Sequence, residues 1–533
     1  MSQLIDTVSR YAGIDWVAFN SWYARYLEKY TNTKVKRFTI AVAIALAFVC
    51  RSIYRRTTPP KHLRHIPHVS FLDFVNHFMI RKLPTSDAFK NLNRPHVKSN
   101  ESMYLRWDRN GWVVHVSNPD SVKQVFMKSD IFPKMDTNHF EGAFFNQFVG
   151  TSNILLLNGP EWKKHRKLAN PAFHRSMPVK LFGESARDLF AMLDKDNEGS
   201  NFTLDFGHLM ERYTLDVIGR AGFGFNFNSV TDENSEWKKV YDEVTVSLRK
   251  PLFALFPILD QKFLWMFPKR QEEVRTLNKF KDMLRGVIDH KRQVLKENGN
   301  GSDDDAEKDL LTLMIESENR GEGILSDDEL MGDIAIFFIA GHDTTAFALS
   351  AAIYYLAKHP EIQEKARQEV NSILCPDGDE KRDVLPTVEQ TKEFVYLNQV
   401  IKETLRINGS VVALITPRRT TADVTLSNVF IPKDTLVNVN IYDLHHNPNV
   451  WDEPETFNPD RFAAGAEADQ KAGGGMSWVP FANLAEQRVV LATLLRHYTW
   501  NLPENSPHSK ELITGNSLIM FAKNLQIQFH KRF

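Results

Sequence analysis

Chemical promise is concentrated in AGHDTT, Ala340 to Thr345. A glycine, a histidine, an aspartate and two threonines interrupt the apolar stretch LSDDELMGDIAIFFIAGHDTTAFALSAAIYYLAKHP, which starts at Leu325. Glycine weakens a helix interior, and a threonine hydroxyl competes for the carbonyl one turn back, so the helix is expected to open locally there. An acid beside an alcohol at such an opening, Asp343 beside Thr344, is what relays protons from solvent to a buried reaction centre. A polar kink without function has the same composition. Further along, YLNQVIKETLRI places Glu403 and Arg406 three residues apart on one helix face. Such pairs are common on surfaces, but in FNPDRF (457–462) Arg461 offers the same carboxylate a second guanidinium.

These residues need a large, mostly helical frame. Ser326 with Glu329 fits a capping box at the start of the AGHDTT helix, and Pro360 ends it. From about residue 160 the apolar period is helical, with breaks at prolines and at the acidic loop ENGNGSDDDAEKD (297–309). Before that, MYLRWDRNGWVVHVSNP predicts a β-hairpin around Asn110-Gly111 with a type I′ turn, followed by a helix through SVKQVFM. The stretch RKPLFALFPILDQKFLWMFPKR (249–270) is apolar yet broken by Pro251, Pro257 and Pro268, which suits either buried core or a surface dipping into lipid.

The N-terminal part is different in kind. Residues 1–33 mix aromatic and charged side chains and suit an interfacial helix. The run FTIAVAIALAFVC, Phe38 to Cys50, is flanked by basic residues and predicts a membrane anchor over 34–56, although the run is shorter than the roughly 20 residues of a full span. TTPPKHLRHIP follows as a stiff, proline-rich linker over 57–70, and a folded domain occupies 71–533.

Composition narrows the classes. The 533 residues carry 66 basic and 66 acidic side chains, so no whole-chain charge favours nucleic acid. An apolar fraction of 42% with 37 Phe supports a large core, roomy enough for an apolar ligand. Two cysteines, Cys50 and Cys375, make no disulfide framework, and no CxxC, HExxH or Cys/His set suggests zinc.

Taken in order, EWKKHR, AGHDTT, ETLR, FNPDRF, a PF turn and a final long helix resemble the cytochrome P450 family of haem-thiolate monooxygenases, in its eukaryotic, membrane-anchored, fungal form. The resemblance implies a mainly α fold with a small β region. It implies haem b held between the AGHDTT helix and the loop before the last helix. Thr344 would serve dioxygen activation and Asp343 its proton supply, with Gly341 against the cofactor. Glu403, Arg406 and Arg461 would lock the core on the proximal side. Trp162 and Arg166, one turn apart, match positions that bind a haem propionate, and Arg418 in TPRRTT is a further propionate candidate. Lys163, Lys164 and Lys167 would face an acidic, NADPH-dependent flavoprotein reductase, or form a solvated basic face. Ile336, Ala340 and Val411 to Leu414 would line an apolar substrate pocket. The same resemblance implies an endoplasmic reticulum membrane with the catalytic domain facing the cytosol.

One part of the pattern is missing. The family's proximal loop, F-x-x-G-x-R-x-C-x-G, carries the cysteine whose thiolate binds iron and favours O–O cleavage. Counted from Phe481, the Gly, Arg, Cys and Gly positions hold Leu484, Glu486, Arg488 and Val490. Counted from the other end, FANLAE (481–486) is itself the family's F-A-x-x-E. An in-frame loss of about a dozen residues between Pro480 and Phe481 accounts for both, and leaves the metal without its axial ligand. His445, His446 and His497 are alternative ligands in principle, with ordinary packing roles as the simpler reading. The expectation is therefore a family monooxygenase that is inactive as written, a haem-poor membrane pseudoenzyme, or a haem protein with a different ligand.

Overall fold

The computed structural model describes residues 21–26, 34–97, 101–174, 178–196, 199, 201–297, 308–321, 323–471, 476–481, 484–515 and 519–533. Most of 1–33 and of the 297–309 loop therefore lies outside the described residues. The chain forms two units, Met1–Lys61 and His62–Phe533.

The first unit is dominated by α1 (Lys34–Thr57), a helix of 24 residues with Arg55 and Arg56 in its last turn, where cations complement the helix dipole. At 1.5 Å per residue it is about 36 Å long, enough to cross a hydrocarbon layer of ~30 Å. The window beginning at Phe38 has a mean hydropathy of 1.6 and is wholly unburied.

The second unit is mainly helical with small sheets. Its elements used below are β1 (Met103–Asp108), β2 (Gly111–Val116), α2 (Gly159–His174), β3 (Asn201–Asp205), α3 (Phe206–Ile218), α4 (Glu236–Leu248), α5 (Pro268–Glu297), α6 (Asp327–Lys358), α7 (Pro360–Leu374), α8 (Val395–Ile407), β4 (Arg418–Arg419), β5 (Leu436–Val439), α9 (Leu484–His497), β6 (Tyr498–Asn501) and β7 (Gln526–Lys531). One sheet has the order β1-β2-β5-β4 and another β3-β7-β6. Strand β2 pairs antiparallel with β1 and parallel with β5, which returns from far along the chain.

Helix α6 is the axis. Ser326 caps it, with a reciprocal bond to Glu329, and Asp327, Asp328 and Glu329 meet the positive end of its dipole. Its N-terminal half packs in a cluster with Phe148, Tyr241, Phe280 and Leu284, and its C-terminal half in another with α3, α8 and α9. Gly332 permits that closeness: a Cβ there would meet the carbonyl oxygens of Val149 at 2.8 Å and Ser152 at 3.0 Å.

Three local expectations change. The predicted turn at Asn110-Gly111 sits one residue earlier: Asp108 pairs with Gly111, so Arg109-Asn110 form the tip. Asp108 Oδ1 accepts the Asn110 N–H at 2.7 Å, and Gly111 takes φ +97. That side-chain turn, rather than a type I′ turn, closes the hairpin. A two-residue tip with positive φ at both positions occurs instead at Ser427-Asn428. Helix α6 does not open at AGHDTT but continues without a break. The 249–270 stretch is mixed: Trp265 is 72% exposed, while Asp260 and Arg270 form a buried ion pair at 2.8 Å.

Candidate active site

The acid–alcohol pair lies on the middle of α6, where three neighbouring elements meet it. Thr344 is buried, and its Oγ1 donates to the Ala340 carbonyl at 2.5 Å. Its own carbonyl accepts from Ser410 Oγ at 2.6 Å, which ties α6 to the chain after α8. Asp343 accepts a hydrogen bond from Tyr241 on α4 at 3.1 Å, with the Arg249 guanidinium at 3.9 Å. Burial pushes its carboxyl up to about 6, Glu211 adds to the rise, and Arg249 and Tyr241 oppose it. A carboxyl poised there exchanges protons near neutral pH, which an ordinary surface aspartate does not.

His342 and Gly341 face another way. The Thr214 hydroxyl on α3 lies 2.9 Å from His342 Nδ1, and burial holds the imidazole neutral, well below its usual range. A Cβ on Gly341 would strike Ile218 at 2.6 Å, so the glycine serves the α3–α6 contact. These two residues serve the contact between α3 and α6, whereas Asp343 meets α4.

Helix α2 is pinned to α6 by two polar contacts. His165 Nδ1 is 2.6 Å from Asp333 Oδ2, with both side chains at 0% exposure, and Lys164 donates to Glu329 at 2.8 Å. Trp162 is partly buried one turn away, and Lys134 Nζ stands 5.5 Å from its ring centroid. Lys134 also forms a β-bridge with Arg418. Arg418 Nε is buried without a hydrogen-bond partner, and burial lowers its pKa. Lys134 is lowered to about 8 by burial and by Arg418. Trp162, Lys134 and Arg418 thus converge into a cationic corner, whereas Arg166 is exposed on the adjoining turn. Lys134 had no motif to announce it in FPKMD.

The buried charge cluster is built as its spacing suggested. Glu403 accepts from Arg406 Nε at 2.7 Å and Nη2 at 2.8 Å, and from the Asn458 N–H at 2.9 Å. Arg406 Nη1 also donates to the His445 and Pro454 carbonyls at 2.7 and 2.8 Å. Arg461 Nε approaches Glu403 at 3.3 Å without hydrogen-bond alignment, and its other nitrogens serve Glu467 and the Glu453 carbonyl. One carboxylate therefore gathers α8 and the 453–461 segment into a single knot.

The segment before α9 lies against this knot. The Val479 N–H donates to His445 Nε2 at 3.0 Å, and Trp478 Nε1 to the Lys402 carbonyl at 3.3 Å. His446 stacks on Tyr442 with its Nδ1 2.9 Å from that residue's carbonyl oxygen. Both histidines are pushed down to about 3 by burial, as buried structural imidazoles are. His497 packs against Phe190. After Pro480 the chain enters α9 at Leu484, a step that spans at most about 14 Å when extended. Phe481 is 49% exposed there, and Ala482 and Asn483 lie outside the described residues. Glu486, in the first turn of α9, is buried with Oε1 unpartnered and is pushed up to about 8 by burial.

The comparisons with known proteins bear on this arrangement. The family model for cytochrome P450 matches residues 70–529. The chain belongs to the cytochrome P450 family. It is 30% identical over 406 residues to human cytochrome P450 4F8, covering 72% of this chain and 75% of that protein. With cytochrome P450 4c21 of Blattella germanica it shares 28% over 427 residues, 75% of this chain and 81% of that one. A solved cytochrome P450DA haem domain has the same fold, with a TM-score of 0.69 at 19% identity, over 88% of this chain and 98% of that structure.

Haem is the cofactor of a cytochrome P450, and the donor set can be tested against it. At the cationic corner the fit is good: Arg418, with its Nε buried and unpartnered, and Lys134, whose Nζ donates to the Ile154 carbonyl at 3.0 Å, stand beside a tryptophan and suit the carboxylates of a porphyrin. Residues 476–490 contain no cysteine. Cys375 is buried but accepts from Arg496 Nη2 at 3.1 Å, near the far end of α9. Leu484 and Arg496 are separated by about 18 Å along that helix. Cys50 is exposed on α1.

Two small cavities adjoin one another, and the second borders α6. The larger, about 220 Å³, is lined in part by Val412, Ala413, Leu414 and Ile415. The second, about 150 Å³, reaches Ile339 and Asp343. Of the expected pocket residues, Val412, Ala413 and Leu414 line a cavity; on α6 the lining positions are Ile339 and Asp343 instead of Ile336 and Ala340.

Proposed function

We propose that this fold belongs to a membrane-anchored monooxygenase that inserts one oxygen atom from dioxygen into an apolar substrate. The observation that carries this reading is Asp343, beside Thr344 on α6, at the wall of an apolar cavity with its pKa near 6. Haem would be held at its propionates by Trp162, Lys134 and Arg418, with Arg166 on the adjoining turn, and would supply oxygen activation. In this reading Asp343 takes protons from the Tyr241–Arg249 side and passes them inward, and the buried Thr344 hydroxyl holds the last proton position. Glu403, Arg406 and Arg461 keep the proximal segment in register. Electrons come from NADPH through a flavoprotein reductase, for which the exposed Lys163 and Lys167 offer a basic face. The domain at 71–533 is tethered by an anchor at 34–56 and a linker at 57–70, after an N-terminal segment at 1–33, in the endoplasmic reticulum with the domain on the cytosolic side.

We further propose that the chain as given does not itself catalyse the reaction. The direct passage from Pro480 into α9 supports the loss of the ligand loop, because it leaves no length to wrap a thiolate around iron. The test is the transcript across the Pro480–Phe481 junction together with the reduced carbon-monoxide difference spectrum of the protein. An exon encoding F-x-x-G-x-R-x-C-x-G at the junction would mark a truncated translation of an active enzyme. A thiolate-type Soret band from the chain as given would overturn the proposal. A second reading, a haem-free membrane protein, is favoured by the closure of α9 without the loop: Arg488 Nε donates to Asn398 at 2.6 Å and Val489 to Leu491 are fully buried. A continuous message combined with purified protein free of haem would select it.

A further inference from the structure

The cationic corner is tied together by a closed circuit of hydrogen bonds that runs through one buried carboxylate, Asp333. This residue lies on α6 two turns before AGHDTT and is 0% exposed. Its Oδ1 accepts the Ile154 N–H at 2.7 Å, and its Oδ2 faces His165 Nδ1 at 2.6 Å. The Ile154 carbonyl in turn accepts from Lys134 Nζ at 3.0 Å. The Lys134 main chain is gripped by Asn158, whose Oδ1 accepts the Lys134 N–H and whose Nδ2 donates to the Lys134 carbonyl, both at 2.9 Å. The Asn158 carbonyl accepts the Trp162 N–H at 3.2 Å, and one turn along α2 from Trp162 stands His165, which returns the circuit to Asp333.

Burying a carboxylate is costly, and Asp260 and Glu403, likewise buried, each answer an arginine. Asp333 answers a peptide N–H and an imidazole instead. Those two contacts are the two arms of the corner: one leads through Ile154 to Lys134, the other through His165 to Trp162. The cations placed in this way are left without an acid. Burial lowers both Lys134 and Arg418, and no carboxylate offsets it. Arg418 Nε has no hydrogen-bond partner, and the bond to Ile154 uses one of the three N–H donors of Lys134. The circuit thus fixes where the donors stand while leaving their positive charge for a ligand.

We propose that Asp333 is a positioning residue for cofactor binding, fixing the Lys134 arm through Ile154 and the Trp162 arm through His165 and so holding both in place for a porphyrin carboxylate. This rests on the reading of the corner as the propionate site and adds the residue that sets it. Asp333 acts through its two neighbours, and Asn158 closes the circuit from the solvent side. The order of the corner is therefore built into the protein before any ligand arrives, which lowers the cost of ordering long cationic side chains on binding.

The test is the binding of metal-free protoporphyrin IX to the full-length protein in nanodiscs, which needs neither an axial ligand nor turnover. Its affinity and that of its dimethyl ester are measured by porphyrin fluorescence, each corrected for partition into empty nanodiscs. The wild-type protein is expected to bind the diacid about tenfold or more tighter than the diester. Asp333→Ala is expected to lose most of that preference with diester affinity unchanged, which a general loosening of the fold would not produce. Asn158→Ala opens the same circuit at an exposed residue and is expected to lose part of the preference, so it decides the matter where Asp333→Ala does not fold. A preference that survives Asp333→Ala, or survives Asn158→Ala where that variant stands in for it, overturns the proposal and leaves the propionate reading intact. An equal loss of diacid and diester binding also overturns it, as the mark of a merely structural role. Equal affinity of the two porphyrins for the wild-type protein overturns the propionate reading and the proposal together.

Discussion

Arg406→Leu tests whether the Glu403 knot is held by charge or by shape. The wild-type guanidinium makes two hydrogen bonds to Glu403 and two to the His445 and Pro454 carbonyls, and both side chains are at 0% exposure. Leucine keeps much of the volume but leaves a buried carboxylate with only the Asn458 N–H and a poorly aligned Arg461. Breaking a buried pair from one side costs about 3–5 kcal/mol, and two unpartnered carbonyls add about 1 kcal/mol between them. The expected loss is therefore about 4–6 kcal/mol. For a folded unit of roughly 470 residues the unfolding entropy is about 1 kcal/mol per kelvin, so the thermal midpoint should fall by about 4–6 °C. Melts followed by far-ultraviolet circular dichroism measure this. The decisive comparison is the double variant Glu403→Gln with Arg406→Leu, which removes the stranded charge. It should recover about 2 kcal/mol relative to the sum of the single variants. If the two losses simply add, the knot is packing and the electrostatic argument is refuted.

Three further outcomes follow from buried groups. Asp343 binds its proton more tightly when folded, because its pKa rises from 3.8 to about 6, so its ionisation opposes folding above pH ~6 and not below pH ~4. Asp343→Asn should stabilise the protein by up to about 2–3 kcal/mol near pH 7.5 and by nothing near pH 4, as read from urea midpoints; a pH-independent gain would contradict the assigned shift. His445 and His446 are held neutral down to about pH 3, while the unfolded chain takes up these protons near 6.5. Stability should fall as pH drops below 6.5, at up to about 2.7 kcal/mol per pH unit with both imidazoles contributing, and His446→Phe should halve that slope in acid titrations. Gly332→Ala presses a methyl onto the Val149 and Ser152 carbonyls and should cost about 1–3 kcal/mol in the same urea assay, whereas Gly286→Ala, with open space around its Cβ, should be neutral or stabilising.

What was legible in the sequence was local or contiguous. The capping box of α6, the Thr344 bond to the carbonyl one turn back and the Glu403–Arg406 pair each lie within one helix, where spacing dictates geometry. Arg461 needed only the assumption that FNPDRF returns to that helix. Misplaced features depend on competition between near-equal local solutions. The Asn110-Gly111 turn lost to an Asx turn at Asp108, and the opening expected at AGHDTT lost to packing from α3 and Ser410. Lys134, Tyr241 and Arg249 were illegible because each gains its meaning from a partner on an element distant in sequence.

The junction at Pro480 shows the limit of such reasoning in both directions. Motif counting locates it, and the fold accommodates it: Val479, Trp478 and Arg488 all find hydrogen-bond partners, and α9 is packed along its length. Folding energy alone therefore does not demand the loop, since the knot around Glu403 and the α6–α9 core are complete without it. Two buried polar groups are nevertheless left with unpartnered atoms. Arg418 keeps an orphaned donor at the cationic corner, and Glu486 keeps an orphaned carboxyl in the first turn of α9, where burial alone raises it to about 8. A protein selected only to fold would have little reason to retain both costs. Under the proposed haem-binding reading, such unpartnered groups are what a scaffold built around a carboxylate-bearing macrocycle would keep. That makes Glu486→Gln informative: because burial raises this carboxyl from 4.5 to about 8, the substitution should stabilise the chain progressively from about pH 4.5 up to pH 8, already by about 2 kcal/mol at pH 6, and change little at pH 4, and inserting a cysteine loop should make the same substitution matter for haem retention instead.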